Sequence, residues 1–252
     1  MNIAGIIPSR YGSSRFPVKP LAMINGKSMI QRVYDQACKC ESLNSVIVAT
    51  DSQVIYNHVT DFGGKAVMTS EKHRSGTERC HEALIKEEKK GNEFDVVMNI
   101  QGDEPFIDPK QIKQVADLFQ EKQVQIGTLL KNISDKTQRN DPNIVKAIKN
   151  KNNEALYFSR AAIPFLREKG LNTPNFETTF YKHIGIYGYR INVLKQLVKL
   201  PYGMLEQAEA LEQLRWIEHG FKIHVDLTET DTQGIDTYDD IIRIAQKQNK
   251  QQ

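Results

Sequence analysis

At 252 residues, with 39% hydrophobic and 26% charged side chains, the chain has a globular composition with room for one large domain. A formal net charge of +3 is too small for a binder of nucleic acid or anionic membranes, and no apolar stretch approaches the roughly 18 residues that span a bilayer. Cys38, Cys40 and Cys80 are too few and too unevenly spaced for a disulfide framework. The opening Met-Asn-Ile-Ala-Gly-Ile-Ile-Pro lacks a signal-peptide pattern, so a cytoplasmic protein without membrane insertion is expected.

Apolar runs of strand length recur at Ile3 to Ile7, Val46 to Ala49, Ala66 to Met68 and Val96 to Ile100. Stretches of helical period lie between them at Met29 to Cys38, Val54 to Phe62 and Glu78 to Glu88. This alternation predicts parallel βαβ units in a sheet covered on both faces, the α/β class. Asn25-Gly26 marks a tight turn before the first helix. Past Pro109 the pattern predicts a helix to Glu121, then strands at Gln125 to Leu130, Ile144 to Ile148 and Ile184 to Tyr189. These strands are separated by long polar connections, as in an inserted or extended sheet. One helix over Leu205 to His219, a strand over Lys222 to Leu227 and a last helix over Tyr238 to Ile244 follow, and residues 246–252 read as a fraying tail.

Three segments carry chemistry. The first strand runs into Pro-Ser-Arg-Tyr-Gly-Ser-Ser-Arg-Phe-Pro-Val-Lys-Pro at residues 8–20. There Gly12, Ser13 and Ser14 can turn backbone N–H groups toward an anion, while Arg10, Arg15 and Lys19 supply charge for phosphate oxygens. The position suits this, because loops leaving the carboxyl ends of strands line the ligand crevice of an open α/β sheet. The second segment, Gln101-Gly102-Asp103-Glu104-Pro105, ends the fourth strand. Asp103 is either a carboxylate ligand for Mg²⁺ or part of a turn leading to a helix capped by Asp108. The third, Gly234-Ile235-Asp236-Thr237, offers either a second metal carboxylate at Asp236 or a helix cap. Two acidic strand ends facing one basic loop suit a metal-bound nucleoside triphosphate.

Ser75-Gly76-Thr77-Glu78-Arg79 leads into a helix, with Thr77 as its cap or the loop as a contact for base or ribose. His58, His81 and His219 fall on amphipathic helices and read as surface groups. His183 differs, because it shares a strand face with Tyr187 and that face can meet a ligand. Local spacing assembles no Ser-His-Asp or Cys-His arrangement, and there is no Gly-x-Gly-x-x-Gly or Walker motif, which removes the best support for covalent catalysis and hydride transfer.

These segments, with Ala-Thr-Asp at 49–51, His-Arg-Ser-Gly-Thr-Glu-Arg at 73–79, Ala-Leu-Tyr-Phe-Ser-Arg at 155–160, His-Ile-Gly-Ile-Tyr-Gly-Tyr-Arg at 183–190 and Leu-Glu-Gln-Leu-Arg at 211–215, carry a family resemblance. Over nearly its whole length the chain resembles the 3-deoxy-manno-octulosonate (Kdo) cytidylyltransferases. The resemblance implies a nucleotide-diphospho-sugar transferase type of α/β sandwich with a mostly parallel central sheet. It further implies a nucleotidyltransferase that moves CMP from CTP to the anomeric hydroxyl of Kdo, with Mg²⁺, for lipopolysaccharide synthesis. A single domain over 1–252 is expected, with 125–190 as the sugar-binding and dimerisation segment of a homodimer.

Carried over by position, Arg10, Ser13, Arg15 and Lys19 would hold the triphosphate and Ser75 and Thr77 the cytidine. Asp103 and Asp236 would hold the metal. Gln101, Arg160, His183, Tyr187, Glu212 and Gln213 would meet the sugar acid, Arg160 through its carboxylate. The chain departs from the family pattern at Ser9, Gly12 and Val18, where relatives often carry Ala, Ala and Gly, and at Gly203-Met204, where Ser-Pro is common. The weighed alternatives are a cytidylyltransferase for another acidic sugar, a sugar-1-phosphate nucleotidyltransferase, whose opening glycine pair is missing here, and a non-catalytic nucleotide-binding module.

Overall fold

The computed structural model describes residues 1–12, 16–167, 179–231, 234, 235, 237–241 and 243. In the first half, β1 (Ile3–Ser9), β4 (Ser45–Thr50), β5 (Ala66–Met68) and β6 (Val96–Asn99) alternate with α1 (Met29–Cys38), α2 (Gln53–Asp61) and α3 (Gly76–Glu88). The Asn25-Gly26 turn joins two short strands, β2 (Met23–Ile24) and β3 (Lys27–Ser28), with both residues at positive φ, as a two-residue hairpin requires. Each of these helices starts on a serine that accepts a backbone N–H: Ser28, Ser52 and Ser75. Asp108 and Pro109 open α4 (Pro109–Leu118) in the same way.

The second half contains β7 (Ile126–Asn132), a short α5 (Lys136–Asn140), β8 (Lys146–Lys149), β9 (Ala155–Ser159), β10 (Tyr181–Arg190) and α6 (Ile191–Leu197). It closes with α7 (Met204–Glu209), α8 (Glu212–Glu218) and β11 (Ile223–Leu227). Among the described residues the main sheet runs β11-β7-β10-β6-β1-β4-β5. Six of these seven strands point the same way, and β10 alone is reversed between β6 and β7. β8 and β9 hang from β10 as an antiparallel extension. The expected middle sheet is therefore present, with β9 as a strand the apolar pattern did not mark.

Alternation along β1 shows how the sheet is sandwiched. Ala4 and Ile6 pack into the core under α3, α6 and α8, whereas Ile3 and Ile7 pack into the core under α1, α2 and α4. Burial on both faces explains why the parallel strands read as uninterrupted apolar runs.

The helix expected over Leu205 to His219 is two helices. Ala210 sits at φ 52, in the left-handed region, and breaks the chain between α7 and α8. Leu211 is buried just after the break, and Glu212 becomes the first residue of α8. The last helix expected from Tyr238 to Ile244 is only partly covered by the described residues, and the 246–252 tail lies outside them.

Candidate active site

The basic loop leaves β1 at the carboxyl edge of the sheet, beside the end of β4. Tyr11 N–H donates to Asp51 Oδ1 at 2.9 Å, tying the loop to that neighbouring strand end. Asp51 Oδ2 accepts from Arg79 Nη2 at 2.8 Å; the Arg79 side chain is buried at 4% exposure and Asp51 nearly so at 11%. Arg79 Nη1 donates to Thr69 Oγ1 at 2.7 Å. Arg10, His73 and Arg79 together line two adjoining clefts of about 550 and 260 Å³. His73 is held by a short contact to Glu82. Burial works against ionisation of Glu82, but hydrogen bonds from Lys86, the Ser70 N–H and His73 outweigh it and hold its pKa at about 2.

Lys19 stands where the basic loop meets the first acidic strand end. Its ammonium donates to Asp103 Oδ2 and to the carbonyl of Ile235, each at 2.7 Å, and Ile235 N–H donates to Asp103 O at 2.9 Å. Three segments remote in sequence are thus pinned at one point. Gly102 permits it through lack of bulk, since a Cβ there would lie 2.8 Å from the backbone oxygen of Pro8. Within the same loop Val18 occupies the left-handed region at φ 56, a strained conformation for a β-branched residue and one that glycine adopts freely.

A third cavity, about 430 Å³, adjoins the second through the shared residues Gly76 and Gln101. Thr77, Asp103, His183, Tyr187, Glu212 and Gln213 line it. The register of β10 against β7 jumps between Ile184 and Tyr187, a bulge of the kind that re-aims side chains beside sites. Gln101 Nε2 donates to the bulge carbonyl, Gly185 O, at 2.9 Å, while the rings of His183 and Tyr187 lie 5.1 Å apart. Thr128 Oγ1 gives its single proton to Ile186 O at 2.7 Å and lies 3.1 Å from His183 Nε2. The network therefore places the ring hydrogen on Nε2 and leaves Nδ1 an acceptor. Burial pushes the His183 pKa down to about 3, so the ring is neutral at physiological pH. Burial likewise raises Tyr187 and Tyr189, keeping both phenols protonated.

Glu212 faces this cavity from α8. Its Oε1 accepts from Ser75 Oγ at 2.8 Å and Arg215 Nη2 at 2.7 Å, and its Oε2 accepts from Thr77 Oγ1 at 2.7 Å. Burial raises its pKa, and these donors act in the opposite direction.

Ten of the residues singled out in the sequence converge on this crevice: Arg10, Lys19, Ser75, Thr77, Gln101, Asp103, His183, Tyr187, Glu212 and Gln213. Ser13, Arg15 and Asp236 lie outside the described residues. Three placements are details that the fold adds. Ser75, not Thr77, caps α3. Both of their hydroxyls donate to Glu212, and Ser75 also lines the second cleft beside Arg10. Arg160 is not among the residues lining the third cavity, because its guanidinium donates to Glu209 O at 2.8 Å and Pro142 O at 3.0 Å. Sequence reasoning also gave Asp51 and Arg79 no role. Their signal was a carboxylate directly after an apolar strand and a cation in the first turn of the serine-capped α3.

A family model described as cytidylyltransferase matches residues 4–223. The 3-deoxy-manno-octulosonate cytidylyltransferase of Parabacteroides distasonis is 53% identical over 245 residues, 96% of each chain. The chain belongs to the 3-deoxy-manno-octulosonate cytidylyltransferase family. The 8-amino-3,8-dideoxy-manno-octulosonate cytidylyltransferase of Shewanella pealeana is 47% identical over 243 residues, again 96% of each chain. A solved CMP:2-keto-3-deoxy-manno-octonic acid synthetase complexed with CTP superposes with a TM-score of 0.91 at 37% identity, covering both chains fully. The α/β sandwich is thus the nucleotide-diphospho-sugar transferase fold of this family.

Proposed function

We propose that this protein transfers CMP from CTP to the anomeric hydroxyl of Kdo, forming CMP-Kdo and releasing pyrophosphate and a proton. The observation that carries the reading is the continuity of the crevice. Arg10 lies at one end, a cavity of about 430 Å³ lined by His183, Glu212 and Gln213 at the other, and Lys19 with Asp103 stands where they meet. Nucleotidyl transfer needs this arrangement, because two anions must be brought together for in-line attack on the α-phosphorus. Arg10 and Lys19 stabilise charge on the departing pyrophosphate, as preorganised donors aimed at developing charge. Gln101, His183, Glu212 and Gln213 orient the sugar acid. Ser13 and Arg15 belong to the same loop and complete the triphosphate site in this reading.

Mg²⁺ suits the donor set, since Asp103 brings carboxylate oxygens to the cavity where substrate phosphate oxygens arrive, and Mg²⁺ favours such mixed ligation. Asp103 and Asp236 would hold it. When bound, the ion neutralises phosphate charge and lowers the pKa of a coordinated hydroxyl.

A homodimer joined through residues 125–190 belongs to the same reading. No helix among the described residues is long and apolar enough to cross a membrane, and the ionic substrates suit a cytoplasmic enzyme. The test is pyrophosphate release with CTP and Mg²⁺ against Kdo, 8-amino-3,8-dideoxy-Kdo and a neuraminate, with a chelator control. Turnover with Kdo supports the reading. Turnover only with another sugar acid reassigns the substrate, and CTP binding with no turnover leaves a nucleotide-binding module.

A further inference from the structure

We propose that Thr77 and Ser75 are positioning residues of the sugar-acid cavity, acting through Glu212, and that neither hydroxyl donates its proton to the nucleotide. The inference rests on the reading of the third cavity as the sugar-acid site.

The argument is one of hydrogen-bond supply. A hydroxyl has one proton to give. Thr77 gives its proton to Glu212 Oε2 at 2.7 Å and is itself 2% exposed. Ser75 gives its proton to Glu212 Oε1 at 2.8 Å and uses one of its two lone pairs on the Glu78 N–H at the start of α3. Neither can donate to a nucleotide without releasing the carboxylate. Arg215, whose side chain is 3% exposed, adds a third donor on Oε1. An ionised carboxylate offers about four acceptor positions. Three are used by these protein groups, leaving Oε2 one acceptor position for a hydroxyl in the cavity.

The alignment of that position depends on the other bonds. Glu212 opens a short helix after the left-handed break at Ala210, so its backbone alone does not fix where the side chain points. The hydroxyls of Ser75 and Thr77 reach it from the start of α3, at the opposite wall. A rigid pair of donors on one element thereby orients an acceptor on another.

The test is steady-state kinetics by pyrophosphate release, varying Kdo at saturating CTP and then CTP at saturating Kdo. Thr77→Val should raise KM for Kdo about tenfold, the scale of one hydrogen bond to a charged group, with KM for CTP within about twofold of wild type. Thr77→Ser should restore it. In a Glu212→Gln background, Thr77→Val should add less than about twofold, because residues acting through one group are not additive. Ser75→Ala should show the same split through Oε1, and stands as the second variant if Thr77→Val does not fold. A rise in KM for CTP with KM for Kdo unchanged, or additive effects of Thr77→Val and Glu212→Gln, overturns the proposal. Wild-type turnover with Kdo alongside a silent Thr77→Val defeats this inference alone. If wild type uses another sugar acid, the same comparison is made with that acid, and a wild type inert toward all of them defeats both readings.

Discussion

Asp51 holds two things at once, and removing it separates their costs. In Asp51→Ala, the Arg79 guanidinium stays buried without its carboxylate, and the Tyr11 N–H loses its acceptor. Breaking a buried pair by deleting one partner costs about 3–5 kcal/mol. Thr69 Oγ1 and Ser70 O still accept from Arg79 Nη1, which places the expected loss near the lower end, about 3 kcal/mol. At roughly 2–4 °C per kcal/mol for a chain of this size, the melting temperature should fall by about 6–12 °C. Replacing both partners, in Asp51→Ala with Arg79→Leu, should recover most of that loss, because an apolar pair leaves no buried charge unmatched. Stability recovered in this way should not restore function. The basic loop proposed to hold the triphosphate would still lack its tether to the end of β4, so KM for CTP should stay raised in the double variant. Differential scanning fluorimetry with CTP-dependent kinetics reads both. A fall below about 2 °C for Asp51→Ala, or a double variant as unstable as the single one, refutes the reasoning.

Lys19→Ala should lower turnover by roughly 10² to 10³, the scale of one preorganised donor at developing charge, and near-normal pyrophosphate release would remove Lys19 from the chemistry. Val18→Gly should stabilise the protein by up to about 1 kcal/mol in urea unfolding, since a left-handed L residue costs about 1–2 kcal/mol and glycine returns part of that as chain entropy. His183 should make the protein acid-sensitive. Its folded pKa of about 3 lies below the unfolded value of about 6.5. As pH falls the unfolded chain takes up the proton first, so the stability His183 contributes is present above about 6.5 and is lost progressively toward 3. Between pH 6.5 and 5 that is about 2 kcal/mol, and His183→Gln should flatten the urea midpoint against pH by this amount. An unchanged slope would show that the ring is hydrated in the folded state.

The alternation of short apolar runs with 3.6-residue periodicity was sufficient for the α/β class and the parallel strands of the first half, because strands buried on both faces and helices buried on one have distinct patterns. Charge placement at strand ends was equally legible. Arg10, Lys19 and Asp103 each follow a strand or its loop, and the fold gathers the carboxyl ends of parallel strands along one edge. Ala210 could not be read in advance, since alanine favours a continuous helix, and only the packing of Leu211 and the placement of Glu212 repay its left-handed turn. The bulge between Ile184 and Tyr187 is likewise a consequence of register between strands more than 50 residues apart in sequence.

Residue types and strand order thus determined which chemistry reaches the crevice. Tertiary structure alone decided which partner each group faces. Ser75 and Thr77 look in sequence like groups of a nucleotide loop, but a carboxylate 135 residues or more away takes both of their protons. Arg160 looks like a carboxylate receptor, and the fold turns two of its five N–H groups to carbonyls of two other segments. Each side-chain donor is spent on whichever acceptor the packed chain brings within about 3 Å, and that distance is set by the whole fold.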